Sequence, residues 1–290
     1  MSFQTLREWQ DTAEKNGEPL WRAVLRDDLA ERDVPEADSR AEMRRMLLAM
    51  READATYDGS LRSVSGLSGG DGALLESFRR RENPLLGEYV LNVMAKAAKM
   101  GESNACMRRI VAAPTAGSCG VIPAVLLSYA EHTGAPDERL EEALYVAAGI
   151  GEVIAKNAGI AGAEGGCQAE MGTASAMAAG ALAFLRGCDA DGILHAAALA
   201  VKNMLGLTCD PVAGLVEVPC VKRNVSGAVN AVICAEMAMA GVRSRIPPDE
   251  VIGAMRRIGR MIPASLRETG QEGLAVTPTA QRVRKELRER

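Results

Sequence analysis

MGTASAMAAGALAFL, residues 171–185, is a run of fifteen residues without a single charge. It is too short and too weakly apolar for a membrane span, which takes about 20 strongly apolar residues. A helix buried inside a protein core fits instead, because alanine is the strongest helix former and small side chains let neighbouring backbones approach closely. Helices of related composition are expected on either side, over residues 121–131, 138–157, 189–204, 226–242 and 248–261, each bordered by Gly or Pro.

Towards the N-terminus, Leu25 and Leu29, then Met43, Met46, Leu47 and Met50, recur at helical intervals among charges, which predicts two or three amphipathic helices before residue 51. The stretch DATYDGSLRSVSGLSGGDG, residues 54–72, is dense in Gly, Ser and Asp and reads as a long loop. A helix resumes over residues 84–100, with Pro84 suited to its first turn. QRVRKELRER, the last ten residues, carries five basic and two acidic side chains and reads as a frayed helix end. The expected fold class is all-α: an N-terminal helical extension over residues 1–58, packed on a main domain over 59–290.

The composition narrows function. The chain has 290 residues, with 48 alanines, 29 glycines and only 3% aromatics, so small apolar residues must fill the core. Lys and Arg number 34 against 38 Asp and Glu, a net charge of -4, which gives no field for gathering phosphates along a nucleic acid. Neither nucleic acid nor membrane is an expected partner. The N-terminus has no apolar signal core, and seven cysteines is an odd number in a chain of this size, so a cytoplasmic location with free thiols is expected.

Three cysteines lie beside Gly or Pro in apparent loops: Cys167 in AEGGCQAE, Cys209 in GLTCDPVAG and Cys220 in EVPCVKRN. Cys188 and Cys234 look like packing residues, and Cys106 and Cys119 are ambiguous. The three loop cysteines are spaced by 42 and 11 residues, which matches neither a structural zinc pattern nor a compact ferredoxin run. On spacing alone they are either simple loop thiols or ligands of a cluster that leaves one metal corner open.

Three long motifs, RIVAAPTAGSCGVIPAVL, AGAEGGCQAEMGTASAMAAGAL and KNMLGLTCDPVAGLVEVPCVKRNVSGAVNA, resemble the α chain of the iron-sulfur-dependent L-serine dehydratases. The resemblance covers about residues 60–280 and includes SGLSGGDG. It implies that Cys167, Cys209 and Cys220 hold a 4Fe-4S cluster whose fourth iron meets the hydroxyl of L-serine, that residues 59–290 form the iron-sulfur catalytic domain, and that the product is pyruvate with ammonia. It also implies a β chain as partner in an oligomer, since the family's histidine-bearing motif is found in the β part. Cys106 and Cys119 stand where the family often has another small residue. Single-chain relatives end in a cysteine that folds back on the open iron, whereas the sequence here ends in Arg290, so self-capping is not expected.

Dehydration of serine needs a leaving-group acid, a base for the Cα proton and a cradle for the carboxylate. Thr115 and Ser118, with amides around Gly117 and Gly120, offer that cradle ahead of a helix, or simply an N-cap and tight turn. Thr115 or Ser118 is also a candidate proton relay. Lys222, Arg223 and Asn224 follow Cys220 directly and either bind carboxylate, balance cluster charge or form a solvated face, with Lys222 a candidate catalytic cation. GLSGGDG, residues 66–72, reads as a lid, a linker or an anion nest, which makes Ser68 and Gly69 candidate substrate ligands. Glu164 and Glu170 flank Cys167 but receive no catalytic role, because a carboxylate beside an anionic cluster is awkward. His132 and His195 lie in expected helices outside all three motifs. The competing expectations are a cysteine desulfidase on the same cluster and a non-enzymatic cluster-bearing subunit.

Overall fold

A computed structural model of the chain describes residues 2–81 and 84–289, so Met1 and Arg290 lie outside the described residues. It is 71% helical with no strand or sheet among the described residues, in agreement with the all-α expectation. In chain order the helices are α1 (Leu6–Lys15), α2 (Leu20–Arg32), α3 (Glu36–Ala55), α4 (Asp71–Arg81), α5 (Gly87–Ala105), α6 (Val121–Thr133), α7 (Asp137–Ala158), α8 (Gly162–Gly165), α9 (Thr173–Leu185), α10 (Ala190–Met204), α11 (Cys220–Met239), α12 (Pro248–Met261) and α13 (Pro278–Arg288). Among the described residues no helix is long and apolar enough to cross a membrane.

The uncharged run forms the centre. Every residue of α9 is buried, and α6, α7, α10 and α11 pack around it. Glycine makes this approach possible: a Cβ on Gly180 would stand 2.2 Å from Ile150 Cδ1 of α7, and one on Gly151 would stand 2.8 Å from Met177 of α9. The N-terminal helices share the same core through Trp9, which is fully buried, donates its indole N–H to Leu20 O at 3.1 Å and lies over Gly149 of α7.

Local chemistry sets the ends. Thr5 caps α1 through Glu8 N at 3.0 Å, Asp189 caps α10 through Gly192 N at 2.7 Å, and Gly134 stops α6 in the left-handed region. Four expectations need correction. Helix α4 falls in and beyond the expected loop; its buried contribution is Gly72 while Leu74 and Phe78 stay exposed, so it carries no core-facing stripe. Pro84 precedes α5 instead of opening it, forming a turn with Gly87 N at 2.9 Å from its carbonyl. Helix α11 begins at Cys220, six residues before the expected start, so Cys220 opens a helix and does not lie in a loop. The C-terminal tail is not frayed over its described residues: Thr277 caps α13, and Ala280 and Val283 bury against Val212.

Candidate active site

The three cysteines reach one neighbourhood from different supports. Cys167 follows Gly166, whose φ of +75° suits glycine and whose Cβ, if present, would lie 2.9 Å from Leu207 O. It leads into a π-helical turn, Gln168–Gly172, that runs straight into α9; such turns are frequent at functional sites. The Gln168 side chain locks this turn by donating to Met255 O at 2.9 Å and accepting from Gly206 N at 2.9 Å. Cys209 is extended and strapped on both sides, its N–H donating to Leu266 O at 2.8 Å and its carbonyl accepting from Glu268 N at 2.7 Å. Cys220 is the first residue of α11, where unpaired amides and the helix dipole favour negative charge.

All three are buried free thiols. Burial pushes Cys220 up to about 12, and Cys167 and then Glu170 push the same way. Cys209 is raised by burial first and then by Cys167, Glu170 and Cys220. Burial raises Cys167 to about 11, with the Arg223 guanidinium pulling against it. Cys209 therefore feels both other sulfurs, Cys220 feels Cys167, and all three feel Glu170. Yet among the described residues no three His, Cys, Asp or Glu side chains are gathered tightly enough to hold a single metal ion. The chemistry of the donor set, three buried free thiols on separate supports, suits the thiolate ligation that iron-sulfur clusters take.

Glu170, on the π-helical turn, is the residue that sequence reasoning passed over. Its Oε1 accepts from the Thr115 hydroxyl at 2.8 Å, and Thr115 Oγ1 lies 3.1 Å from Ser118 Oγ. Burial raises its pKa above the usual carboxylate range, opposed by the Thr115 hydrogen bond. Two glycines leave room beside it. A Cβ on Gly117 would stand 3.2 Å from Glu170 Oε1, and one on Gly162 would stand 3.0 Å from Glu170 Oε2 and 3.1 Å from Cys209 Sγ.

Arg223 and Asn224 are committed to protein partners. Arg223 donates to Thr208 O at 2.7 Å and Asp210 Oδ1 at 3.0 Å, and its guanidinium also reaches the Cys167 sulfur. Asn224 clamps the 115–120 turn onto α11: its Nδ2 donates to Gly117 O at 2.8 Å and Cys220 O at 2.9 Å, and its Oδ1 accepts from Gly120 N at 2.8 Å. Lys222 is mostly exposed and pairs with Asp71 at the start of α4.

Ser68 and Gly69 sit in the loop ahead of α4. Ser63 and Ser65 fasten this loop to buried Glu217, donating at 2.6 and 2.5 Å, so that Glu217 and Lys222 tie it down on both sides of Cys220. Ser68 is buried and its hydroxyl has no hydrogen-bond partner, while Gly69 (φ +129°) and Gly70 (φ +90°) turn the backbone past the Arg62 guanidinium. Such an orphaned hydroxyl beside an unusual glycine turn is what a bound anion would satisfy.

The remaining cysteines and histidines have other partners. Cys119 is buried, near Met100 O at 3.7 Å, with burial and then Cys220 among the influences that push it up to about 12. Cys106 is half-buried at the end of α5. Cys188 lies 3.4 Å from Met239 Sδ, and Cys234 contacts Asn203 and Asn230. His195 accepts from Ser244 N at 3.1 Å and His132 stacks obliquely on Tyr89. A cavity of about 440 Å³ among α2, α3 and α7, lined by Val24, Asp28, Met43 and Tyr145, includes none of the cysteines. A cavity of about 510 Å³ lined by Tyr57, Glu76, Arg80 and Lys99 likewise includes no cysteine, so size does not mark the site.

The profile of the serine dehydratase alpha chain family matches residues 10–275. The L-serine dehydratase alpha chain of Peptoniphilus asaccharolyticus is 40% identical over 287 residues, 98% of either chain. The probable L-serine dehydratase alpha chain of Bacillus subtilis is 51% identical over 225 residues, 78% of this chain and 75% of that one. TdcG, an L-serine dehydratase of Escherichia coli, is 44% identical over 182 residues, which cover 62% of this chain but 40% of that protein.

Proposed function

Because the chain belongs to the serine dehydratase alpha chain family, we propose that it converts L-serine to pyruvate and ammonia as the α chain of a two-chain L-serine dehydratase, with a 4Fe-4S cluster on Cys167, Cys209 and Cys220. The observation that carries this reading is the convergence of three buried thiols outside any disulfide, each raised by another of them or by Glu170, around a guanidinium that reaches one of the sulfurs. When bound, the cluster supplies a Lewis-acidic iron that eases departure of the serine hydroxyl.

The chain's own residues do the rest of the preparation. Arg223 offsets negative charge at Cys167 and is oriented by Asp210 and Thr208. Glu170 Oε1 and the Thr115 and Ser118 hydroxyls form a connected row along which a proton can be held or passed, ending in the gap beside Gly117 and Gly162. Asn224 fixes that row against α11. Ser68, with the Gly69–Gly70 turn, takes the substrate carboxylate. Lys222, paired with Asp71, holds the loop in place. Loss of water and of the Cα proton leaves an aminoacrylate, which becomes an imine and hydrolyses to the products.

The base for the Cα proton comes from the β chain. His132 and His195 are engaged with Tyr89 and Ser244, and relatives named as L-serine dehydratase without a chain designation are more than twice the length of the region they share with this chain. The test is anaerobic reconstitution with iron and sulfide, with and without a β chain, followed by pyruvate assay. Pyruvate from serine only with the β chain and cluster together supports the reading; a reconstituted pair that holds its cluster and leaves serine unchanged overturns it.

A further inference from the structure

L-Serine carries an ionised carboxylate at neutral pH, and the Ser68 turn offers that group hydrogen-bond donors but no charge. The two basic residues after Cys220 are engaged, Arg223 with Thr208 O, Asp210 and Cys167, and Lys222 with Asp71. Arg62 is only half engaged. Its Nη1 donates to Gly59 O at 3.0 Å and to Leu61 O at 2.7 Å. Its Nη2 makes no hydrogen bond, and no carboxylate pairs with the guanidinium, among the described residues.

The loop folds so that this guanidinium lies on the turn. Ser63 N donates to Ser68 O at 2.9 Å and Ser68 N donates to Ser63 Oγ at 3.2 Å, which sets Arg62 beside Gly69 and Gly70. A Cβ on Gly70 would stand 3.1 Å from Arg62 Nη2, and one on Gly69 would stand 3.1 Å from Arg62 Cδ and 2.2 Å from Leu61 O. Three donors of this turn lack a partner among the described residues: Arg62 Nη2, the hydroxyl of Ser68, which is 3% exposed, and the Gly69 N–H. Water satisfies an exposed guanidinium such as that of Arg62, but a buried hydroxyl without a partner calls for a ligand.

The turn is also well placed and independently held. Glu217 accepts from Ser63 and Ser65, and Glu102 accepts from Asp71 N at 2.7 Å and Gly72 N at 3.1 Å, so both ends are fixed without Arg62. Burial, Glu102 and Glu217 raise the thiol of Cys106 at the end of α5, and Arg62 pulls against them. From that same helix end, Asn104 Nδ2 donates to Ala116 O at 3.1 Å, in the turn that carries Thr115 and Ser118.

Resting on the dehydratase reading, we propose that Arg62 is a substrate-binding residue whose guanidinium supplies the counter-charge for the serine carboxylate, with the Ser68 hydroxyl and the Gly69 N–H donating to the same group. A guanidinium fits a carboxylate in charge and in its paired donors. The assignment makes a free carboxylate a requirement of the substrate.

The test uses the anaerobically reconstituted pair of α and β chains, as wild type, Arg62→Gln and Arg62→Lys, assayed for pyruvate over a range of L-serine. Loss of one charged hydrogen-bond partner raises KM for L-serine about 30-fold in Arg62→Gln, with kcat and the visible cluster spectrum unchanged. Arg62→Lys, which keeps the charge but not the paired donors, falls between. As a competitive inhibitor 3-hydroxypropanoate weakens by the same factor, whereas neutral 3-hydroxypropanamide acts equally, however weakly, on wild type and Arg62→Gln. A wild-type pair that leaves serine unchanged removes the dehydratase reading and this assignment together. Pyruvate from wild type with an unaltered KM in Arg62→Gln, or with carboxylate and amide weakened alike, overturns the Arg62 assignment alone.

Discussion

Thr115 and Glu170, 55 residues apart in the chain, are joined by a 2.8 Å hydrogen bond in which the Thr115 hydroxyl donates to Glu170 Oε1. The bond links the turn ahead of α6 to the π-helical turn after Cys167, so a carboxylate is brought beside the cysteine site already engaged with a hydroxyl row. General acid-base groups contribute about 10²–10⁴-fold to rate, and Glu170→Gln, which keeps the shape, is expected to lower kcat about 100-fold while the visible spectrum of the reconstituted cluster stays unchanged. Steady-state kinetics on the assembled enzyme check this; an unaltered kcat removes Glu170 from the reaction.

Gly162 is expected to tolerate no side chain. A methyl group there would press on Glu170 Oε2 and Cys209 Sγ together, at 3.0 and 3.1 Å. Gly162→Ala should therefore sharply reduce iron incorporation while far-ultraviolet circular dichroism still shows a helical fold. Normal iron content in that variant would mean that the space beside Gly162 is not needed.

Asp210 and Arg223 form a mostly buried ion pair, with side chains 7% and 17% exposed. Asp210 also accepts from Leu274 N at 2.9 Å, joining the C-terminal segment to the cysteine site. Breaking a buried pair from one side typically costs about 3–5 kcal/mol, and Asp210→Asn is expected near the lower end because an amide still accepts the Leu274 hydrogen bond. Urea unfolding of the cluster-free chain measures it, and a loss below about 1 kcal/mol would place the pair among ordinary surface bridges.

Raised thiol pKa values predict how the cluster-free chain responds to alkali. Burial holds Cys167 at about 11 and Cys119, Cys220 and Cys234 at about 12, against an ordinary value of 9.0. Protonated thiol is favoured in the folded state, so this stability is complete below pH 9 and declines as pH rises through the folded values. Urea midpoints should fall between pH 9 and 11, less steeply in Cys220→Ser than in wild type. Parallel slopes for the two proteins would contradict the assignment.

Much of the helical scaffold is legible along the chain, and the reasons are local. Helix α12 matches its expected span because Pro248, an acidic first turn and a stripe including Val251, Ile252 and Met255 all agree. Helix α4 is not legible, since it packs through Gly72 and leaves Leu74 and Phe78 outside. At the site, the three cysteines announce themselves by their glycine and proline neighbours, but Lys222 to Asn224 after Cys220 look like loop and are helix. Glu170 is hidden for a different reason. Its role depends on Thr115, a contact with no trace in linear spacing, and on burial that offsets the repulsion expected next to an anionic centre.

The most direct measurement is iron and acid-labile sulfide, with the visible absorption, in wild type and in Cys167→Ser, Cys209→Ser, Cys220→Ser and Cys188→Ser after identical anaerobic reconstitution. Loss of iron, sulfide and absorption in the first three variants, with Cys188→Ser matching wild type, is the predicted result. A full complement retained by any of the first three, or lost equally in Cys188→Ser, would contradict the assignment of the cluster to these sulfurs.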